Sequence, residues 1–379
     1  METQLSVAGA TQAVLWGALA LGIVFGAVGQ WSRFCVRGAV ADWVEQRSPA
    51  RLSAWLLAIA VGALGTQALI SLGGFDATKT VPWSERLVWV SYLVGGTLFG
   101  YGMILARGCP QRSLVKAGAG DLKAVVTLLV TGIAAQMTLR GLFAQPRVDG
   151  LERTAVALGR PQDLGSLFGA SLGLGAGTLR WLIVALFCAA VAVWLWRTRR
   201  VATPAQWIGG TVVGLLVPAA FYLTGHIGFV AEHPETLEAA WLGTGSRRPE
   251  ALTFTAPLAN ALDLLTFWSD KNTVATFGVL LAAGVLLGSF VSAKLRGDYR
   301  VETFKSSGEL VNHLIGSVLM GFGGVTAMGC SIGQGVTGLS MLSAGAVLAT
   351  GGIVLGAWAA LRVQSRGRQP AGFGIPTAA

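Results

Sequence analysis

Charge is scarce in this sequence. Only 12% of its 379 residues are charged against 53% hydrophobic, and the mean hydropathy is +0.62, whereas a soluble domain carries about 25% charged residues. That shortage excludes an ordinary soluble domain. It points instead to a chain that crosses a lipid bilayer repeatedly, because a span takes about 20 largely apolar residues and most of the sequence divides into such segments. Histidine and cysteine are also rare, at three and four residues. Cys35, Cys109, Cys188 and Cys330 contain no Cys-x-x-Cys pair, so neither a disulfide scaffold nor a zinc site is indicated. His226, His233 and His313 have no ligand spacing to them, and we expect no metal and no cofactor. There is no Gly-x4-Gly-Lys-Ser/Thr motif to bind a nucleotide. The net charge of +10 does not imply nucleic-acid binding, since the Lys and Arg are scattered among connections. No basic region precedes the first apolar stretch, which reads as a retained span rather than a cleavable signal.

Apolar runs and glycine are plentiful. Nine spans are predicted, at about 11–34, 52–73, 86–107, 121–144, 178–197, 205–229, 272–296, 309–328 and 339–362. Residues 145–177 are too polar and too Gly/Pro-broken to cross, and read as an interfacial helix or an extramembrane loop. Residues 230–271 are acidic and hold one apolar piece, 258–268, too short to span. With the N-terminus outside, the connections due to be cytoplasmic hold 18 of the 28 Lys and Arg. That bias predicts a periplasmic N-terminus and a cytoplasmic C-terminal tail.

One pattern organises the rest. "LVGGTLFGYGMILARGC" (93–109) and "LIGSVLMGFGGVTAMGC" (314–330) match at 8 of 17 positions without a gap. Among the matches are Gly95/Gly316, Gly100/Gly321, Gly102/Gly323, Gly108/Gly329 and Cys109/Cys330. The copies fall in the third and eighth spans, an odd separation, so they run in opposite directions. The expected architecture is therefore an all-α polytopic membrane protein of two inverted pseudo-symmetric repeats, 1–144 and 205–379, joined by a loop and linker span at 145–204. The glycines strip side chains so that a neighbouring helix can approach. They do not account for the Gly-Cys endings.

After Cys109, Pro110 suits the first turn of a short helix and Gly118 can stop it. Cys109 is thus predicted at the N-terminus of a re-entrant helix (loop 108–118), where free N–H groups favour an anion. Cys330, with Ser331 and Gln334 in the loop 329–338, takes the matching place from the other face. Arg112 and Lys116 give the first loop a charge that the second lacks. Cys188 reads as filler in the linker span. Cys35, between Arg33 and Arg37, reads equally as filler or as function when taken alone.

The stretches "SRFCVRGAVADW", "GGTLFGYGMILARGCPQRSLVKAGAGDL" and "GSVLMGFGGVTAMGCSIGQGVTG" resemble the YeeE/YedE, or sulphur transport, family of bacterial inner-membrane proteins. The resemblance implies two pseudo-symmetric halves whose loops leave a narrow path at mid-membrane, and uptake of thiosulfate. It carries functional cysteines onto Cys35, Cys109 and Cys330, with each thiol handing the anion inward through an S–H bond. It also implies a small cytoplasmic sulfur-carrier protein as partner. Where simpler members have small residues after the first Gly-Cys, this chain has "PQRSL", which leaves a selenium or other sulfur compound open as substrate. A membrane sulfurtransferase or redox protein is the rival reading, and the missing Cys-x-x-Cys pair counts against it.

Overall fold

The structure is a computed structural model that describes residues 2–234 and 236–367; the tail expected after 367 lies outside the described residues. Fourteen helices follow in order. They are α1 Glu2–Ser32, α2 Val36–Gln46, α3 Ala50–Ser71, α4 Trp89–Leu105, α5 Pro110–Gly118, α6 Leu122–Arg140 and α7 Ala144–Pro146, then α8 Leu164–Phe168, α9 Ala176–Thr198, α10 Pro204–Tyr222, α11 Thr255–Thr266, α12 Phe277–Leu295, α13 Ser307–Thr326 and α14 Ala344–Gly367. Two antiparallel pairs of two-residue strands, β1 Arg86–Leu87 with β2 Val156–Ala157 and β3 Phe229–Val230 with β4 Ala240–Trp241, only pin loops.

Among the described residues, eight helical stretches are long and apolar enough to cross a membrane. The chain is an all-α multi-pass membrane protein. The ninth expected span, 309–328, is α13, whose 20 residues carry Glu309, Asn312 and His313 in the first two turns; that polarity keeps it out of the apolar set. Side chains that a soluble protein would bury face outward, as at Trp16 (66% exposed), Leu186 (69%) and Leu295 (83%). Lipid is the solvent for such a surface.

Local chemistry sets the helix ends. The Asp121 side chain accepts from Lys123 N–H to start α6, Ser306 accepts from Glu309 N–H to start α13, and Thr203 forms a capping box with Gln206 ahead of Pro204. Two predicted boundaries move inward. The seventh span begins at Phe277 rather than 272, and the ninth at Ala344 rather than 339, because Leu339–Ser343 closes a turn through Leu342, which has a φ of +54°. The apolar piece at 258–268 falls mostly within α11, a 12-residue helix against α6 that ends at Thr266.

The matched glycines bring backbones together in matched ways. Helices α4 and α13 run antiparallel, with Gly95 against Gly323 and Ala327 while Gly102 lies against Gly316 and Met320. A Cβ at Gly102 would stand 2.5 Å from the Gly316 carbonyl oxygen, and one at Gly323 would stand 2.5 Å from that of Gly95. Gly100 faces the Ile353 carbonyl on α14, and its partner Gly321 faces the Thr131 carbonyl on α6. Gly22 of α1 sits on α12 at Leu281, and Gly214 of α10 sits on α3 at Ala58. Each contact has a counterpart in which the two halves of the sequence exchange roles.

The two polar loops are not detached from the spans. Leu164 N–H donates to the Leu342 carbonyl and Ala344 N–H to that of Gln162, so the 145–177 loop folds onto the start of α14. Trp83 Nε1 donates to Met341 O at 2.8 Å, with Arg180 stacked 4.7 Å from the Trp83 ring.

Candidate functional site

Both Gly-Cys segments leave their helix in the same way. Gly108 N–H donates to Met103 O and Gly329 N–H to Gly324 O, and each is preceded by a non-glycine residue in the left-handed region, Arg107 at φ +52° and Met328 at φ +54°. This is the helix-ending turn that satisfies the last carbonyls. It directs the following cysteine back into the protein. Cys109 and Cys330 are both 0% exposed, and Ser113 N–H bonds to Cys109 O as Gln334 N–H bonds to Cys330 O, each at 2.8 Å.

Beyond the cysteines the copies diverge. Cys109 caps α5, a nine-residue α-helix with Pro110 at its first position. Cys330 is followed by a π-helical turn, Gly333–Gly338, because three glycines in six residues offer little to hold a regular α-turn. That turn is held from outside instead. Trp55 Nε1 donates to Gly335 O at 2.9 Å, Thr337 Oγ1 to Leu252 O at 2.9 Å, and Gln334 Nε2 to Ala327 O at 2.6 Å. Gln334 thereby braces its own loop.

The two loops meet. Cys109 lies within electrostatic reach of both Cys35 and Cys330, and the Ser331 hydroxyl approaches the same thiol. Cys35 caps α2, and its sulfur accepts Gly38 N–H at 3.2 Å; Cys330 sulfur accepts Gly333 N–H at 3.4 Å. A thiol held as an acceptor keeps its own S–H free to donate. Cys188 stands apart on α9, donating to Ala60 O at 3.8 Å among apolar neighbours.

Each loop adjoins its own cavity. One, of about 480 Å³, is lined by Cys35 and by Arg33, Arg37, Arg51, Arg107, Arg112, Lys116 and Arg300, with Asp298 as its acidic member. Arg51 pairs with Asp42 at 3.2 Å and Arg107 with Glu309 at 3.4 Å; among the described residues the other five cations have no carboxylate within ion-pair reach. Arg112 donates to Gly29 O at 3.3 Å and Lys116 to Arg107 O at 3.1 Å. The second cavity, of about 330 Å³, is lined by Gly329, Gly333 and Gln334 together with Ser246 and 249–253, and its charged members are Arg147 and Glu250. Burial pushes the Glu250 carboxyl up from the ordinary glutamate range, while hydrogen bonds from Gly245 and Ser246 pull it back. Cys109 and Cys330 belong to neither lining. They occupy the packed layer between.

The structure thus gathers Cys35, Arg112 and Lys116 at one cavity and Gly329 and Gln334 at the other, with Cys109, Cys330 and Ser331 buried outside both linings. Three features escape the sequence. Arg37 of α2 and Arg51 of α3 join the first cavity only because folding brings the starts of both helices to it. Arg300, far along the chain, is tied there by its N–H bond to Ala119 O. Gln111 is fully buried beside Cys109, and only its polarity within the loop could have marked it.

Comparison with known proteins shows what the chain is similar to. The profile of the family described as sulphur transport matches residues 31–359. The thiosulfate transporter TsuA of Escherichia coli (strain K12) is 28% identical over 353 residues, covering 90% of this chain and 92% of that protein. The thiosulfate transporter TsuA of Spirochaeta thermophila is 27% identical over 362 residues, covering 91% and 97%.

Proposed function

The chain belongs to the sulphur transport family, and from that premise we propose that it takes up thiosulfate across the bacterial inner membrane by a relay of Cys330, Cys109 and Cys35. The observation that carries this reading is the convergence of two Gly-Cys loops, with Cys109 within electrostatic reach of both other thiols and a cation-rich cavity beside Cys35. We place the N-terminus and the apolar cavity on the periplasmic side and the basic cavity on the cytoplasmic side, following the loop charges. The exchanged glycine contacts support an inverted repeat, which puts the two loops on opposite faces of one path.

Each step of the relay is a hydrogen-bond exchange. The anion enters the apolar cavity and, in the packed layer beyond its lining, its terminal sulfur accepts the Cys330 S–H. It passes to Cys109, whose proton rests on Gln111 Oε1 at 3.8 Å in the structure. It then reaches Cys35 and the unpaired arginines. No covalent bond forms, and the protein does not rock as a whole. Attraction in the basic cavity offsets part of the cost of moving a dianion against the membrane potential, about 4–5 kcal/mol at 100 mV. Capture by a small cytoplasmic sulfur-carrier protein supplies the remaining drive. Labelled thiosulfate uptake into proteoliposomes tests the relay: Cys109→Ala and Cys330→Ala each abolish it, and undiminished uptake in both would sink the mechanism.

A further inference from the structure

Two donors in the constriction are buried and unpartnered. Gln111 is 0% exposed and Ser331 1%, and neither Gln111 Nε2 nor Ser331 Oγ makes a hydrogen bond among the described residues. They come from opposite loops and converge on one sulfur. Gln111 Oε1 accepts the Cys109 S–H at 3.8 Å, and the Ser331 hydroxyl approaches the same thiol without the geometry of a bond. With its oxygen engaged, the Gln111 amide turns its NH2 toward Gly29, where a Cβ would stand 3.7 Å from Nε2. Folded proteins seldom leave such groups unpaired, because desolvating them is costly. Gln334, the other amide near the constriction, is already bonded within its loop.

The chemistry of the two kinds of donor differs. A thiol is a weak donor suited to a soft, polarisable sulfur, whereas an amide N–H and a hydroxyl are strong donors suited to oxygen. We propose that Gln111 Nε2–H and Ser331 Oγ–H bind the oxygens of the passing anion, so that the constriction selects sulfur anions that carry oxygen over sulfur- or selenium-terminated anions that do not. This rests on the thiosulfate reading and narrows it. A site built to hydrogen-bond a substrate rejects an analogue lacking the acceptors, since its buried donors are then left unpaired. Thiosulfate fits the pair. Thiocyanate and selenocyanate offer one terminal nitrogen in place of several oxygens and leave a donor unpaired, and a selenium analogue passes only if it keeps its oxygens.

The test uses the full chain in proteoliposomes, with labelled thiosulfate as substrate and thiocyanate as competitor. Gln111→Leu and Ser331→Ala are each expected to raise the thiosulfate KM about 10-fold while thiocyanate inhibition stays within about 3-fold. Ser331→Ala removes a single oxygen, and an unchanged unfolding midpoint for either variant separates lost recognition from lost folding. Wild-type KM in both variants, or equal weakening toward both anions, would overturn the inference alone. Absence of thiosulfate uptake by the unaltered protein would overturn the functional reading and this inference together.

Discussion

The first Gly-Cys loop opens on a cavity of about 480 Å³ with seven cations around it, and the second on one of about 330 Å³ whose charged lining is Arg147 and Glu250. Yet the two segments leave their helices through the same turn, with the same bonds from Gly108 and Gly329 and the same left-handed residue before them. What is shared is the device that turns a cysteine into the membrane interior. What differs is the surroundings: nearly balanced charge beside the second loop and a strongly basic lining beside the first.

The largest way to break this comparison is at the shared device. Cys109→Ala is expected to lower thiosulfate uptake about 100-fold or more, because a thiol bond to a desolvated anion and its handover are both lost. Cys188→Ala, on the linker helix, leaves uptake within about 2-fold. The next largest effect separates the two cavities. Arg112→Gln and Arg37→Gln each cut uptake about 10-fold and flatten its dependence on ionic strength, whereas Arg147→Gln, already paired with Glu152, changes it less than about 3-fold. Initial rates at two salt concentrations separate these outcomes.

The correspondence of glycine contacts between the two halves can be probed without touching the site. Gly100→Ala and Gly321→Ala each drive a methyl against a carbonyl of a neighbouring span and should destabilise the protein by about 1–3 kcal/mol each. Thermal unfolding in detergent checks that the pair behaves alike; a loss confined to one copy breaks the correspondence. The smallest effect concerns Glu250. Its folded pKa is raised by burial, so the protonated form favours folding, and that stability is lost as pH rises through the folded value. Acidification from pH 7 toward about 4.3, the ordinary glutamate value, raises the unfolding midpoint of the unaltered protein. Glu250→Gln removes this increment.

Most of this architecture was legible in the residues because membrane spans and glycine contacts are written locally. The matched glycines of the two copies foretold close backbone approach, though not which helices would touch, and Pro110 foretold a helix capped by Cys109. The π-turn after Cys330 was not legible, since its shape is imposed by Trp55 and Leu252 from elsewhere in the chain. Cys35 stayed undecided for a similar reason: only folding puts α2 beside the first loop. Within 230–271, read from the sequence as an acidic connection with one short apolar piece, Ser246 and 249–253 line the apolar cavity. Gln111 lacked any local signal beyond polarity, because an unpartnered buried amide is a property of packing.

A structure determined with thiosulfate bound tests the central claim most directly. The account predicts anion density in the constriction between Cys109 and Cys330, with its terminal sulfur on a thiol and its oxygens toward Gln111 and Ser331. Thiosulfate density confined to another part of the protein, with these four residues making no contact to it, would contradict it.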